Sequence, residues 1–225
     1  MKMKQLAMVH LSDLHFGDPH FFDPPLPPDG APAANTRPSL CSLLVADLNG
    51  DDFRGLTPKF PESSGHGYVD MPLIVAISGD LTETAAAKEF QHAEKFITDL
   101  GNADILGSKI TTSNIFIVPG NHDVIYTEPD TGRRWYPYCS FYEKHTNVHI
   151  DPSRPQGLTR LTDRSDDGYV VAELNSAVYV QQDSPDAIRG QIDDESLFEL
   201  KKALQAVDEE KLRCSIRIAV VHHHP

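Results

Sequence analysis

The feature that most constrains this chain is a repeated unit: an apolar run of strand length that stops abruptly at a glycine or a polar cluster. Five such runs occur, at 6–11, 73–77, 115–118, 169–174 and 216–221. The first leads into Ser12-Asp13-Leu14-His15-Phe16-Gly17 and the second into Ser78-Gly79-Asp80. The third leads into Pro119-Gly120-Asn121-His122-Asp123, the fourth into Asn175-Ser176-Ala177, and the fifth into His222-His223-His224-Pro225. Segments of helical period lie between them. A helix is predicted over 85–100, burying Phe90, Ala93, Ile97 and Leu100 and stopping at Gly101, with His92 and Glu94 on its solvated side. Another follows Gly190-Gln191-Ile192-Asp193, with an acidic first turn and an apolar face of Leu197, Leu200, Leu204 and Val207. Strands alternating with helices predict an α/β fold with a largely parallel or mixed sheet under helical cover. Such sheets collect functional side chains outside the carboxyl ends of their strands.

The chain has 225 residues, enough for one substantial domain, taken here as 1–225. Its net charge of −13 disfavours broad binding to nucleic acid or to an anionic membrane, although a local cationic centre can still hold a phosphate. Cys41, Cys139 and Cys214 are widely spaced and odd in number, which reads as reduced thiols and a cytoplasmic setting. The basic start Met1-Lys2-Met3-Lys4 is followed by too short an apolar stretch for a signal peptide, and no segment is long enough to span a membrane. Seven prolines between Pro19 and Pro38 open an insertion at about 18–70, which includes a helix with Leu40, Leu43, Leu44 and Leu48 on one face and a stop at Asn49-Gly50. This insertion is expected to lie over the strand ends as a lid or wall, with His66 exposed. The aromatic segment 135–142 is expected to help shape the same pocket. Arg133 and Arg134 are read as solvated rather than phosphate-binding, His145 and His149 lack partners at ligand spacing, and 151–168 reads as a polar loop.

The polar clusters are rich in metal donors. In an extended backbone Asp13 and His15 point to one side, which suits a divalent transition metal; a simple hydrogen-bonded pair at a strand end is the alternative. The two oxygens of Asp80 suit a bridge between two cations. The three terminal histidines follow a strand and precede a proline, which favours a native motif over a tag remnant. Mixed nitrogen and oxygen donors around a shared carboxylate fit a pair of Mn²⁺, Fe or Zn²⁺ ions better than Ca²⁺. Two such ions, roughly 3.5–4 Å apart, clamp a phosphate and activate water.

Taken in order, Asp13-Leu14-His15, Gly79-Asp80, Gly120-Asn121-His122-Asp123 and the strand-terminal His-His-Pro closely resemble the calcineurin-like metallophosphoesterase superfamily. The resemblance implies a layered fold, a mixed β-sheet sandwich flanked by helices, and metal-dependent hydrolysis of a phosphoric mono- or diester. It implies that Asp13 and His15 bind one metal, that Asp80 bridges, and that Asn121 and His223 bind the second. His222 would then occupy the preceding strand position, and His224 would lie near the metal without binding it. His122 would contact the phosphate and assist the leaving group, with Asp123 orienting it or capping the turn. The superfamily's Gly-His-X-His element has no counterpart here, since Gly65-His66-Gly67-Tyr68 lacks the second histidine. Five of the usual seven protein ligands are therefore matched, which points to a longer parent enzyme with room for a further C-terminal domain. A DNA-repair-like nuclease of the same superfamily and a non-catalytic scaffold are the competing expectations.

Overall fold

The structure is a computed structural model and describes residues 6–17, 38–51, 72–180 and 190–223. Three parallel strands form the first sheet in the order β1 (Ala7–Leu11), β2 (Leu73–Ser78), β5 (Ile115–Val118). The central strand, Leu-Ile-Val-Ala-Ile-Ser, is buried at every position, as a parallel strand covered on both faces requires. Its alternation assigns the two faces. Leu73, Val75 and Ile77, with Ile115 and Ile117 of β5, belong to a core shared with the helices. Ile74 and Ala76, with Phe116 and Val118, belong to a second core shared with Tyr169, Val171 and Val220.

Those last residues come from the second sheet, β6 (Arg160–Arg164), β7 (Tyr169–Glu173) and β8 (Ile216–Val220), in which β6 is antiparallel and β8 parallel to β7. The first sheet therefore lies between helices and a second sheet. A small hairpin, β3 (Asp104–Ile105) with β4 (Ser108–Lys109), completes the strands among the described residues. The result is a mixed α/β fold, as the alternating pattern predicts.

The helical layer is α1 (Leu40–Leu48), α2 (Ala87–Leu100) and α3 (Thr131–Thr146). The N-terminus of α2 is closed by Glu89, whose carboxylate accepts the N–H groups of Thr84 and Ala86 at 2.8 and 3.1 Å. Its buried stripe is the expected Phe90, Ala93, Ile97 and Leu100, with Phe96 added. Asp130 caps α3 by accepting from Arg133 N at 2.9 Å, and Asn147 ends it in a left-handed conformation. The amide of Asn49 ties the end of α1 to the hairpin through Asp104 O and Leu106 N. Beyond the second sheet, α4 (Asp194–Ala206) is capped by Asp193, and the short α5 (Glu209–Arg213) leads into β8. Among the described residues, no helix is long and apolar enough to cross a membrane.

Several local expectations are corrected. The aromatic segment is not a pocket wall: Trp135, Tyr138, Phe141 and Tyr142 point into the helix–sheet core, and of its aromatic residues Tyr136 is the exposed one. The reason is helical period, which turns positions 135, 138, 141 and 142 to one side. Leu43 and Leu197 are exposed, because the packed faces of α1 and α4 are narrower than their leucine content suggests. The stretch read as a polar loop contains β6; its Arg-Leu-Thr-Asp-Arg sequence carries no apolar alternation and is held as a strand by its ladder to β7. His149 pairs with Glu143 at 2.9 Å, and His145 packs on the Phe141 ring. Of the insertion at 18–70, only 38–51 is described; its lid role and His66 lie outside the described residues.

The core placement makes a contrast measurable. Trp135→Ala should cost about 3–5 kcal/mol in denaturant unfolding, whereas Tyr136→Ala should stay within about 0.5 kcal/mol. Equal losses from the two substitutions would contradict the assigned helix orientation.

Candidate metal centre

Parallel pairing brings the ends of β1, β2 and β5 to one edge of the first sheet, and β8 delivers its terminal residues to the same place. Past Leu11 the chain is not extended as expected. Asp13 and His15 both have positive φ (55° and 46°), and their N–H groups bond Gly79 O at 3.2 Å and Asp80 O at 2.9 Å. The loop after β1 thus tracks the loop after β2, whose Asp80 also has positive φ (51°). Left-handed backbone is costly for residues with a side chain, and it concentrates where the surroundings impose it at functional sites. Kinking, rather than strand alternation, aims Asp13 and His15 together, with His15 Nε2 3.9 Å from Asp13 Oδ1.

Asp80 is the buried centre. Its Oδ1 accepts the His122 N–H at 2.9 Å, while Oδ2 lies 3.2 Å from His222 Nε2 and 3.8 Å from His15 Nε2. Two groups of donors able to hold a metal ion result, His15–Asp80–His122 and Asp13–Asp80–His222, and both include Asp80. Two of the three rings, His122 and His222, are anchored from behind by a hydrogen bond through their other nitrogen. His122 Nδ1 bonds Glu83 O at 2.8 Å and His222 Nδ1 bonds Ser78 O at 2.7 Å. A carbonyl can only accept, so in both rings Nδ1 carries the proton and Nε2 turns to the site. His15 Nδ1 lies 2.9 Å from Glu83 Oε2, without the alignment of a hydrogen bond. Outer partners of this kind are what hold histidine ligands in one tautomer and orientation, so the donor set fits a transition-metal site.

Burial pushes the Asp80 carboxyl up, but the His222 hydrogen bond, the His122 N–H and the charges of both rings hold it below the ordinary carboxylate value. Burial would lower His222, yet Asp80, the Ser78 carbonyl and the Asp13 charge raise it to about 9. Each group therefore stabilises the charged form of the other.

Asp123 is fully buried behind the site. Burial raises its carboxyl to about 6 against the hydrogen bonds from Gly120 N and Thr82 N. With Thr82 N and Oγ1 on its Oδ1 and Gly120 N on its Oδ2, it clamps the loop after β2 to the loop after β5. It caps the turn rather than facing a ligand. Asn121 is half-buried beside the cluster, its Nδ2 donating to Tyr126 OH at 2.7 Å.

The terminal histidines divide differently from the pattern the resemblance implies. The structure brings His222 to Asp80, while His223 is buried with Nδ1 2.9 Å from Ser176 Oγ. A side chain at Gly190 would overlap the His223 ring, so backbone closes over that residue. His224 lies outside the described residues. Arg134 bonds the carbonyls of Glu128 and Val180, a structural use that a solvated reading does not foresee, while Arg133 is exposed. Glu83, Thr82 and Tyr126 are the contributors that the sequence does not advertise. The only signal for Glu83 is its place three residues after Asp80, and an acidic residue in a loop is common.

The chain matches no protein-family model and no curated protein sequence.

Gly79 and Gly120 allow this convergence. Gly79 has φ 78°, and a Cβ there would come within 2.5 Å of His222 Cγ. A Cβ at Gly120 would come within 2.8 Å of Asp80 Cγ. Gly120→Ala should therefore displace Asp80, costing about 1–3 kcal/mol of stability and weakening Mn²⁺ binding by more than about tenfold. Unchanged Mn²⁺ affinity in calorimetric titration would contradict the close packing of this glycine on the carboxylate.

Proposed function

We propose that this protein is a metal-dependent phosphoric ester hydrolase of the calcineurin-like metallophosphoesterase type, with a dinuclear centre. The observation that carries the reading is the sharing of Asp80 between two donor groups. On this reading Asp13, Asp80 and His222 hold one divalent ion. His15 and Asp80 would hold the other, joined by Asn121 as the resemblance implies, which leaves His122 of the same donor group for the phosphate; Mn, Fe and Zn suit these donors. Such ions supply Lewis acidity, polarising a phosphoryl oxygen and making water a competent nucleophile at neutral pH.

The chain's own groups do the rest. His122, with Nδ1 fixed on Glu83 O, presents Nε2 to the site. In its charged form it donates that proton to a phosphoryl or leaving-group oxygen, and in its neutral form it accepts one. Its ring stands edge-on to His15 at 4.8 Å, so the donor has a set direction. Asp123 and Thr82 keep the two loops in register. The helix–sheet–sheet layering is consistent with the superfamily's sandwich. The net charge of −13 favours a small or protein-borne phosphoester over a nucleic-acid substrate. A cytoplasmic setting belongs to the same proposal, supported by three free cysteines, Cys41 and Cys139 buried and Cys214 half-buried.

The test is hydrolysis of p-nitrophenyl phosphate and bis(p-nitrophenyl) phosphate by the purified protein with Mn²⁺. Turnover should appear with the metal and disappear with a chelator, and Asp80→Ala should lower it by more than about 100-fold. Full activity in Asp80→Ala would refute the shared-carboxylate assignment. No turnover of either ester by metal-loaded protein would favour the non-catalytic scaffold.

A further inference from the structure

We infer that Tyr126 is a positioning residue that sets the orientation of the Asn121 amide toward the metal centre, an inference that rests on the metal-dependent reading above. Tyr126 belongs to none of the motif positions, yet its hydroxyl accepts a hydrogen bond from Asn121 Nδ2 at 2.7 Å. An asparagine presents two chemically opposite ends, and only the oxygen can serve a cation. With Nδ2 committed to the phenol, Oδ1 is the end left for the site. The same ring stands perpendicular to His122 at 6.3 Å between centroids, so one side chain borders both Asn121 and His122.

The tyrosine is itself held from α3. It sits in a turn in which Glu128 N bonds Ile125 O. Ile125 N bonds Arg134 O, and Arg134 Nε bonds Glu128 O at 2.8 Å. Arg134 is therefore a clamp that fixes the Tyr126 turn to the first turns of α3. The ring is half-buried against the helix–sheet core, which limits its freedom further.

The test separates orientation from general support. Mn²⁺ dissociation constants are measured by electron paramagnetic resonance of free Mn²⁺ for the wild type and Tyr126→Phe, each with Asn or Asp at position 121. A carboxylate has two equivalent oxygens and needs no orienting. In the Asn121 background, Tyr126→Phe should weaken the affected site by about 10–100-fold. In the Asn121→Asp background, the same change should cost no more than about threefold. Equal affinities for wild type and Tyr126→Phe would overturn the inference, as would equal penalties in both backgrounds, since a merely structural tyrosine acts alike on both. If wild type binds no Mn²⁺, the metal reading itself fails and takes this inference with it. Two-site binding that Tyr126→Phe leaves untouched sinks the inference alone.

Discussion

The carboxylate of Asp80 is the joint at which the separately folded strand ends become one site. It sits in left-handed backbone, buried, with one oxygen held by the His122 N–H and the other facing His15 and His222. Four segments of chain thus meet at one side chain: the loops after β1, β2 and β5, and the end of β8. A buried carboxylate without partners would cost several kcal/mol. Here a charged ring beside it offsets that cost, and the two groups hold each other ionised. The same arrangement is suited to exchange: a divalent cation can take over the compensation that the His222 proton supplies.

That joint depends on the rigidity of what lies beneath it. β2 is buried along its length, with one face locked into the helices and the other into the second sheet, so Ser78-Gly79-Asp80 leaves the core from a fixed point. A further polar network ties the second sheet to the helical layer. Glu173 of β7 is buried and accepts from Tyr142 of α3 and Thr162 of β6, with Arg160 3.6 Å away. Burial, against Arg160 and these hydrogen bonds, raises the Glu173 carboxyl. β7, the parallel neighbour of the strand that delivers His222, is in this way fixed against α3 and β6.

Much of this is legible in the sequence because it rests on local pattern. The five apolar runs all become strands, and parallel pairing within each sheet gathers the polar ends of β1, β2 and β5 on one side and those of β7 and β8 on one side. Asp13, His15, Asp80, His122 and His222 are drawn together. What resists reading is non-local or conformational. Strand alternation suggests that Asp13 and His15 share a face, but left-handed kinks are what aim them, and no residue pattern announces a left-handed aspartate. Whether His222 or His223 meets Asp80 turns on Ser176, 47 residues away in sequence, which captures the second ring. The run Trp135 to Tyr142 has the composition of a binding wall; its helical period, which places it in the core, is the better guide.

Sharing of Asp80 by two ions can be seen by anomalous scattering from crystals of the protein grown with Mn²⁺. Two anomalous peaks should appear about 3.5–4 Å apart, both within bonding distance of the Asp80 carboxylate. One should lie toward Asp13 and His222 and the other toward His15 and Asn121. A single peak held without Asp80, or no peak at all at saturating Mn²⁺, would contradict it.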